Sequence, residues 1–225
     1  MEKIKAIITG ATGMVGKSVL LECLDSDKVD KVLIIVRESI GMTHPKLEEV
    51  IHKDFFDLTD IIPKLVGYNA CYFCLGISSA GVSIKEYTHI TYNLTLHFAN
   101  IILPLNPDIS FCYVSGAGTS SKENSATDWA NVKGKTENQL MRFPFKSAYM
   151  FRPAVIQPEK GVESKVSIYK TIYKILRPVF PILDRLFPKY VTTSSRLGKA
   201  MINVVNRGYK TNIIENDDIN VLSAV

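Results

Sequence analysis

The stretch that decides the fold lies at residues 9–16, Thr-Gly-Ala-Thr-Gly-Met-Val-Gly. An apolar run at residues 4–9 precedes it, and apolar residues at helical spacing follow at residues 14–25. Three glycines at this spacing between a strand and a helix are the fingerprint of a dinucleotide-binding turn. The glycines permit a tight turn and a close approach of the backbone to a pyrophosphate at the helix amino terminus. The loop residues expected to contact the cofactor are Gly10, Thr12, Gly13, Met14, Val15 and Gly16.

Apolar runs alternate with helix-like segments along the rest of the chain. Continuous apolar strands separated by helices indicate a parallel sheet covered on both faces, and right-handed crossovers then give a Rossmann-type doubly wound α/β fold. The further strands are predicted at residues 32–36, 49–53, 69–75, 109–114 and 147–151, with a last one at 211–215. The further helices are predicted at residues 83–102, 126–142 and 193–206, with Pro104 and Pro107 as stop signals after the first of these.

The length of 225 residues suits one domain. We expect a single dinucleotide-binding domain over residues 1–225, in which about 157–225 form a small, irregular extension on the substrate side. Within that extension, residues 169–190 mix bulky apolar and basic side chains. We interpret them as a lid over the substrate end, and a helix that docks on a membrane surface or a partner is the alternative.

Composition excludes several classes of protein. Hydrophobic residues make up 46% of the chain and the net charge is only +5, which favours a packed core and no nucleic-acid partner. No apolar run reaches the length of a signal core or a membrane span, so we expect no stable membrane insertion. The four cysteines and four histidines form no metal-ligand pattern; Cys71 and Cys74 should point to opposite faces of one strand. These features together predict a cytoplasmic protein with no metal.

The end of the second strand bears on the choice of cofactor. NAD sites usually place an acidic residue there, whereas this strand ends in Arg37, whose guanidinium can clamp a 2′-phosphate. We therefore favour NADP(H), with NAD as the alternative cofactor and a surface role as the alternative for Arg37. Asp54 and Phe55 follow the third strand, where an adenine would lie, although Asp54 is equally suited to capping a helix.

With the loop placed, the chain resembles the short-chain dehydrogenase/reductase superfamily. It is most similar to the atypical branch with Tat-interacting oxidoreductase-like and NAD-dependent epimerase/dehydratase-like proteins. The motifs that carry the resemblance beyond residues 9–16 are Val36-Arg37, Cys74-Leu75-Gly76, Tyr113-Val114-Ser115-Gly116-Ala117, residues 132–138 (Val-Lys-Gly-Lys-Thr-Glu-Asn) and Phe151-Arg152-Pro153. The resemblance implies that Leu75 and Gly76 border the nicotinamide-side ribose and that Ser115 lies near the nicotinamide. It also implies that Arg152, Pro153 and Val155 lie beside the carboxamide.

One position departs from the pattern of that superfamily. Its active members carry a tyrosine four residues before a lysine, so that the ammonium lowers the phenol pKa on one helix face. Here Lys133 is present, but Trp129 stands where the tyrosine is expected, and an indole N–H has no usable acidity near neutral pH. Lys133 can still hold the ribose hydroxyls. We assign Ser115 and Lys133 as the catalytic candidates; Lys133 as a plain solvated lysine is the alternative.

Two functions follow. The first is an NADP-dependent oxidoreductase or epimerase-like enzyme that acts on a small carbonyl or hydroxyl compound. The second is a non-catalytic nucleotide-binding protein, such as a redox sensor or a regulator, and Trp129 motivates it. The expected partner is a small-molecule substrate, and a homodimer is left open.

Overall fold

The protein is built around one parallel sheet. A computed structural model describes residues 2–162, 180, 186–187 and 189–225. The sheet has seven strands in the order β3-β2-β1-β4-β5-β6-β9, and all its neighbouring strands run parallel. The strands are β1 (Ile4–Thr9), β2 (Val29–Val36), β3 (Leu47–Ile51), β4 (Ala70–Phe73), β5 (Ser110–Val114), β6 (Ser147–Arg152) and β9 (Ile213–Glu215). The predicted Rossmann-type doubly wound sheet is confirmed.

Helices cover both faces of the sheet. A short 3₁₀ helix spans Thr59–Leu65, and a one-turn π-helix at His89–Asn93 joins α2 to α3. The α-helices of the described residues are α1 (Met14–Asp25), α2 (Ile84–Thr88), α3 (Leu94–Leu105), α4 (Asp128–Leu140), α5 (Ser194–Arg207) and α6 (Asn216–Ser223).

The core follows the two-residue alternation of the strands. Along β1, Ile8 packs on the layer that contains α1, α5 and α6, while Ile7 packs on the layer that contains α3 and α4. Cys71 and Cys74 divide between the same two layers, as their strand spacing predicts. Both faces of the sheet are therefore buried, which explains why the strands are continuous apolar runs.

The helix predicted over residues 83–102 differs from the observed one in two ways. A π-turn interrupts it, in which the N–H of Leu94 donates to the carbonyl of His89. The helix also continues through Pro104 to Leu105 instead of stopping before the proline. A proline in the last turn removes a single hydrogen bond, and the burial of Phe98 and Ile102 against the sheet holds the helix in place.

The described residues of the carboxyl-terminal part form further strands and helices. A short parallel pair, β7 (Val155–Gln157) and β8 (Val191–Thr193), lies beside the main sheet. The strand predicted at residues 211–215 is confirmed as β9, while α6 was not predicted. Most of the predicted lid at 169–190 lies outside the described residues. No helix in the described part of the chain is long and apolar enough to cross a membrane.

Candidate functional site

The glycine-rich turn after β1 is as tight as its sequence predicts. Gly10 has φ of +70°, and a Cβ atom there would lie 2.6 Å from the carbonyl oxygen of Cys74 at the end of β4. A Cβ atom on Gly16 would collide with the carbonyl oxygen of Gly10. These two positions therefore require glycine, because any side chain would push the turn away from α1 and β4.

The turn leaves the amino end of α1 open to an anion. Gly13 is the N-cap residue, its own N–H donates to Gly10, and no described side chain caps the helix. The first turn of α1 contains no acidic residue. Because the first N–H groups of a helix lack intrahelical partners and carry partial positive charge, this end suits a phosphate group.

A cleft of about 420 Å³ lies in front of this turn, at the carboxyl ends of the strands. It sits where the chain order reverses, between β1 and β4, the usual place for a ligand in a doubly wound sheet. Of the predicted cofactor residues, the cleft brings together Gly10, Thr12, Gly13, Arg37, Asp54, Phe55, Leu75 and Gly76. Ile90 from the π-turn and Leu94 at the start of α3 form an apolar wall. The size and the lining fit an extended dinucleotide.

The far end of the cleft, beyond β2 and β3, carries charge. Arg37 and Lys53 both line it and both are exposed. Asp54 also lines it, but its Oδ1 accepts the N–H of Phe56 at 2.9 Å, so this carboxylate caps a turn, as the alternative interpretation expects. Its contact with an adenine stays a prediction. Phe55 is buried, with 7% of its surface exposed, and lines the cleft.

Lys133 lies behind the other end of the cleft. Its Nζ donates to the carbonyl of Val114 at 3.1 Å and sits 4.9 Å from the centre of the Tyr113 ring. The same atom is 4.0 Å from where a Cβ of Gly76 would be. Burial lowers the pKa of Lys133 to about 8, and the carboxylate of Glu137 opposes part of that change. The solvated-lysine alternative does not describe this side chain, which is only 8% exposed.

Ser115 and Arg152 belong to one buried network centred on Glu137. The hydroxyl of Ser115 donates to Glu137 at 2.5 Å and lies 3.1 Å from the carbonyl of Phe151. Two guanidinium nitrogens of Arg152 bind both oxygens of Glu137, and other bonds reach Ser121 and Glu215. Glu137 is fully buried, so this pairing compensates a charge that would otherwise be costly.

In this network, the polar groups of two predicted site residues, Ser115 and Arg152, bond to other protein side chains. The serine hydroxyl faces Glu137, and the guanidinium of Arg152 has protein partners on several sides. The following segment is also fixed, since the carbonyl of Pro153 accepts the N–H of Ala117 at 2.9 Å. Val155 begins β7 and is 43% exposed. Direct contact of Ser115, Arg152, Pro153 or Val155 with a nicotinamide stays a prediction.

Trp129 lies in the first turn of α4, one turn before Lys133 on the same face. Its indole is partly buried, and its ring edge lies 3.5 Å from where a Cβ on Gly118 would be. The residue beside Ser115 is Gly116, which brings no hydroxyl. The phenol of Tyr149 on β6 does not replace the missing one, because Tyr149 is buried in the sheet core at 6% exposure.

Two residues of the site were missed in the sequence. Glu137 could have been found, because it follows Lys133 by one helical turn and shares its face. Lys53 could also have been found, as the basic residue directly before Asp54. By contrast, the bond from Arg152 to Glu215 joins positions 63 residues apart, and local patterns do not reveal it.

Sequence comparisons identify curated relatives of this chain. The chain is 25% identical over 203 residues to "Protein FMP52, mitochondrial" of Meyerozyma guilliermondii. The alignment covers 88% of this chain and 84% of that protein. It is 24% identical over 158 residues to "Protein HTATIP2" of Rattus norvegicus. The alignment covers 69% of this chain and 64% of that protein. No family model matches the chain.

Solved structures with the same fold include an epimerase and two further proteins with bound cofactor. A UDP-N-acetylglucosamine 4-epimerase from Methanobrevibacter ruminantium M1 aligns with a TM-score of 0.67 at 18% identity, over 95% of this chain and 76% of the epimerase. A short chain dehydrogenase from Burkholderia cenocepacia J2315, in complex with NADP, aligns with a TM-score of 0.64 at 13% identity. The alignment covers 94% of this chain and 87% of the dehydrogenase. The enzyme WbmF from Bordetella bronchiseptica, in complex with NAD+, aligns with a TM-score of 0.65 at 11% identity. The alignment covers 97% of this chain and 77% of WbmF.

The fold is the Rossmann-type doubly wound α/β fold that these solved structures share. The predicted resemblance to the atypical branch of the short-chain dehydrogenase/reductase superfamily is confirmed by the similarity to FMP52 and HTATIP2. Two of these solved structures hold a nicotinamide dinucleotide, NADP in one and NAD+ in the other.

The prediction of a cytoplasmic protein is wrong. Several fungal relatives carry the word mitochondrial in their names, including those of Meyerozyma guilliermondii, Candida glabrata and Eremothecium gossypii. The modest net charge, the cysteines without a metal-ligand pattern and the lack of a long apolar run, from which the prediction was made, do not distinguish the cytosol from a mitochondrial location.

Proposed function

We propose that the protein binds NADP(H) in the cleft and acts as an oxidoreductase or epimerase-like enzyme on a small carbonyl or hydroxyl compound. The observation that carries the proposal is the cleft itself, with an uncapped helix end at its centre and two cations at its far end. We also propose a mitochondrial location, by similarity to the fungal relatives.

The chain's own residues have distinct tasks in this proposal. The amino end of α1 binds the pyrophosphate, Arg37 binds the 2′-phosphate, and the apolar wall around Ile90 and Leu94 keeps water away from the bound cofactor. When bound, the nicotinamide would supply or accept a hydride. Lys133, still mostly protonated at pH 7 because its pKa is about 8, would donate to the ribose hydroxyls beside Gly76.

Replacing Arg37 tests the choice of cofactor. The Arg37→Ala variant should weaken NADPH binding by about 1–3 kcal/mol, the value of a lost charged hydrogen bond, and leave NADH binding nearly unchanged. Isothermal titration calorimetry measures both affinities. Arg142→Ala, which removes an exposed arginine at the end of α4, is the matched control. Equal losses for both cofactors would contradict the 2′-phosphate assignment.

A second function, a non-catalytic NADP(H)-binding sensor, is favoured by one specific observation. Trp129 stands where a proton-donating phenol is expected, and the hydroxyl of Ser115 is held by Glu137. Turnover of NADPH with a panel of small aldehydes and ketones separates the two functions. If only the Trp129→Tyr variant reduces them, the sensor is the correct function; if the wild-type protein does so, the enzyme is.

A further inference from the structure

Lys53 is the cation in the cleft that neither the fold nor the glycine loop explains. It lies two residues beyond β3, and Arg37 lies one residue beyond β2. The two strands pair in parallel with Val36 opposite Ile51, and the N–H of His52 donates to the carbonyl of Val36 at 2.7 Å. The chain segments that carry Arg37 and Lys53 therefore leave the same edge of the sheet side by side.

Both cations are available to a ligand. Arg37 and Lys53 are exposed, both line the cleft, and neither forms an ion pair or a hydrogen bond with any residue that the structure describes. An unpaired arginine and an unpaired lysine on neighbouring strand ends, both facing the cleft, form a site for an anion with several oxygens.

The carboxylates nearby decide how much positive charge this end needs. Glu49 is occupied, because it accepts the hydroxyl of Ser39 at 2.6 Å and the N–H of Ile40 at 2.8 Å. Glu38 and Asp54 are exposed and follow the two cations directly in the chain. Without Lys53, Arg37 would be the one cation to offset these two carboxylates, so Lys53 should strengthen the attraction for a phosphate group.

We propose that Lys53 is the second cation of the 2′-phosphate site and, together with Arg37, determines the preference for NADP(H) over NAD(H). The proposal rests on the proposed function, because it assumes that the adenosine end of the dinucleotide lies beyond β2 and β3. Arg37 contributes a planar fork that binds two phosphate oxygens, whereas Lys53 contributes a mobile point charge. Both act on the group that distinguishes the two cofactors.

The test compares Lys53→Met, Lys53→Arg and the control Lys64→Met, which removes an exposed lysine from the 3₁₀ helix. Calorimetry is performed with NADPH, NADH, adenosine 2′,5′-bisphosphate and adenosine 5′-monophosphate. Lys53→Met should lower the affinity for NADPH and for the bisphosphate about tenfold, equivalent to about 1.4 kcal/mol. NADH and the monophosphate should change less than about twofold, Lys53→Arg should restore NADPH binding, and Lys64→Met should behave as wild type.

Each outcome decides the proposal. It is overturned if Lys53→Met binds NADPH as the wild type does, or if it loses NADH and NADPH equally. If Arg37→Ala lowers NADPH affinity but Lys53→Met does not, the proposed function stands and only the role of Lys53 falls. If the wild-type protein binds neither NADPH nor NADH, the proposed function and the role of Lys53 fall together.

Discussion

Replacing Lys133 with methionine removes a buried ammonium and keeps a side chain of similar length. Burial lowers the pKa of Lys133 from its ordinary value of 10.5 to about 8. Because a tenfold change in an equilibrium equals about 1.4 kcal/mol, keeping this charge in the fold costs about 3 kcal/mol at pH 7. The variant also loses the bond to the carbonyl of Val114, worth about 1 kcal/mol. Lys133→Met should therefore be more stable than wild type by about 2 kcal/mol at pH 7.

The pH dependence of this difference is the sharper result. Between pH 8 and 10.5 the unfolded chain binds more protons at Lys133 than the folded one, so the wild-type protein gains stability as the pH rises. Lys133→Met cannot make that gain. Its advantage should therefore shrink by about 3 kcal/mol across this range and reverse sign near its upper end.

Urea denaturation of both proteins, followed by circular dichroism at several pH values, measures the difference. Titration of the other lysines, tyrosines and cysteines is common to both proteins and cancels. An exposed-lysine control, Lys64→Met, should show a difference close to zero at every pH. If Lys133→Met differs from wild type by the same amount at pH 8 and pH 10.5, Lys133 is solvated and its assigned position behind the cleft is incorrect.

Two further substitutions test the architecture of the site. Glu137→Gln removes the buried charged partner of Arg152 and leaves it paired with the half-exposed Glu215, so it should lower the free energy of unfolding by about 3–5 kcal/mol in urea; a loss below about 1 kcal/mol would show that the network is solvated. Gly16→Ala brings a methyl group into collision with the carbonyl oxygen of Gly10 and should abolish NADPH binding in calorimetry. The control Lys17→Ala, at the exposed neighbouring position, should bind NADPH as wild type does. If Gly16→Ala keeps its affinity, the turn can change its conformation and still bind the cofactor.

The sheet could be predicted from the sequence because each strand is marked by a pattern of neighbouring residues. Each central strand is a continuous apolar run, such as residues 32–36, and the glycine spacing after β1 permits few other turns. The third strand begins two residues earlier than predicted, at Leu47–Ile51 instead of 49–53, because its burial is only partial and its apolar pattern is weak. The single turn of π-helix has no periodicity of its own and could not be foreseen.

The candidate site was predictable at one end of the cleft and not at the other. The loop residues, Arg37 and Gly76 come together because the carboxyl ends of parallel strands share one edge. The orientation of Ser115 depends on Glu137 and Arg152, which reach it from a helix and another strand. Such partners are set by the packed structure, and a motif that names the serine does not show which way its hydroxyl faces.

Energy transfer from Trp129 to bound NADPH tests dinucleotide binding in this cleft most directly. Trp129 is the single tryptophan of the chain and lies one helical turn from Lys133, so a nicotinamide beside Gly76 would lie within transfer range. Titration with NADPH should quench the tryptophan emission and produce nicotinamide emission, and both signals should saturate as the cleft fills. Adenosine 2′,5′-bisphosphate should compete with NADPH and should not itself produce energy transfer. The absence of saturable transfer from the folded protein at millimolar NADPH would contradict binding in this cleft.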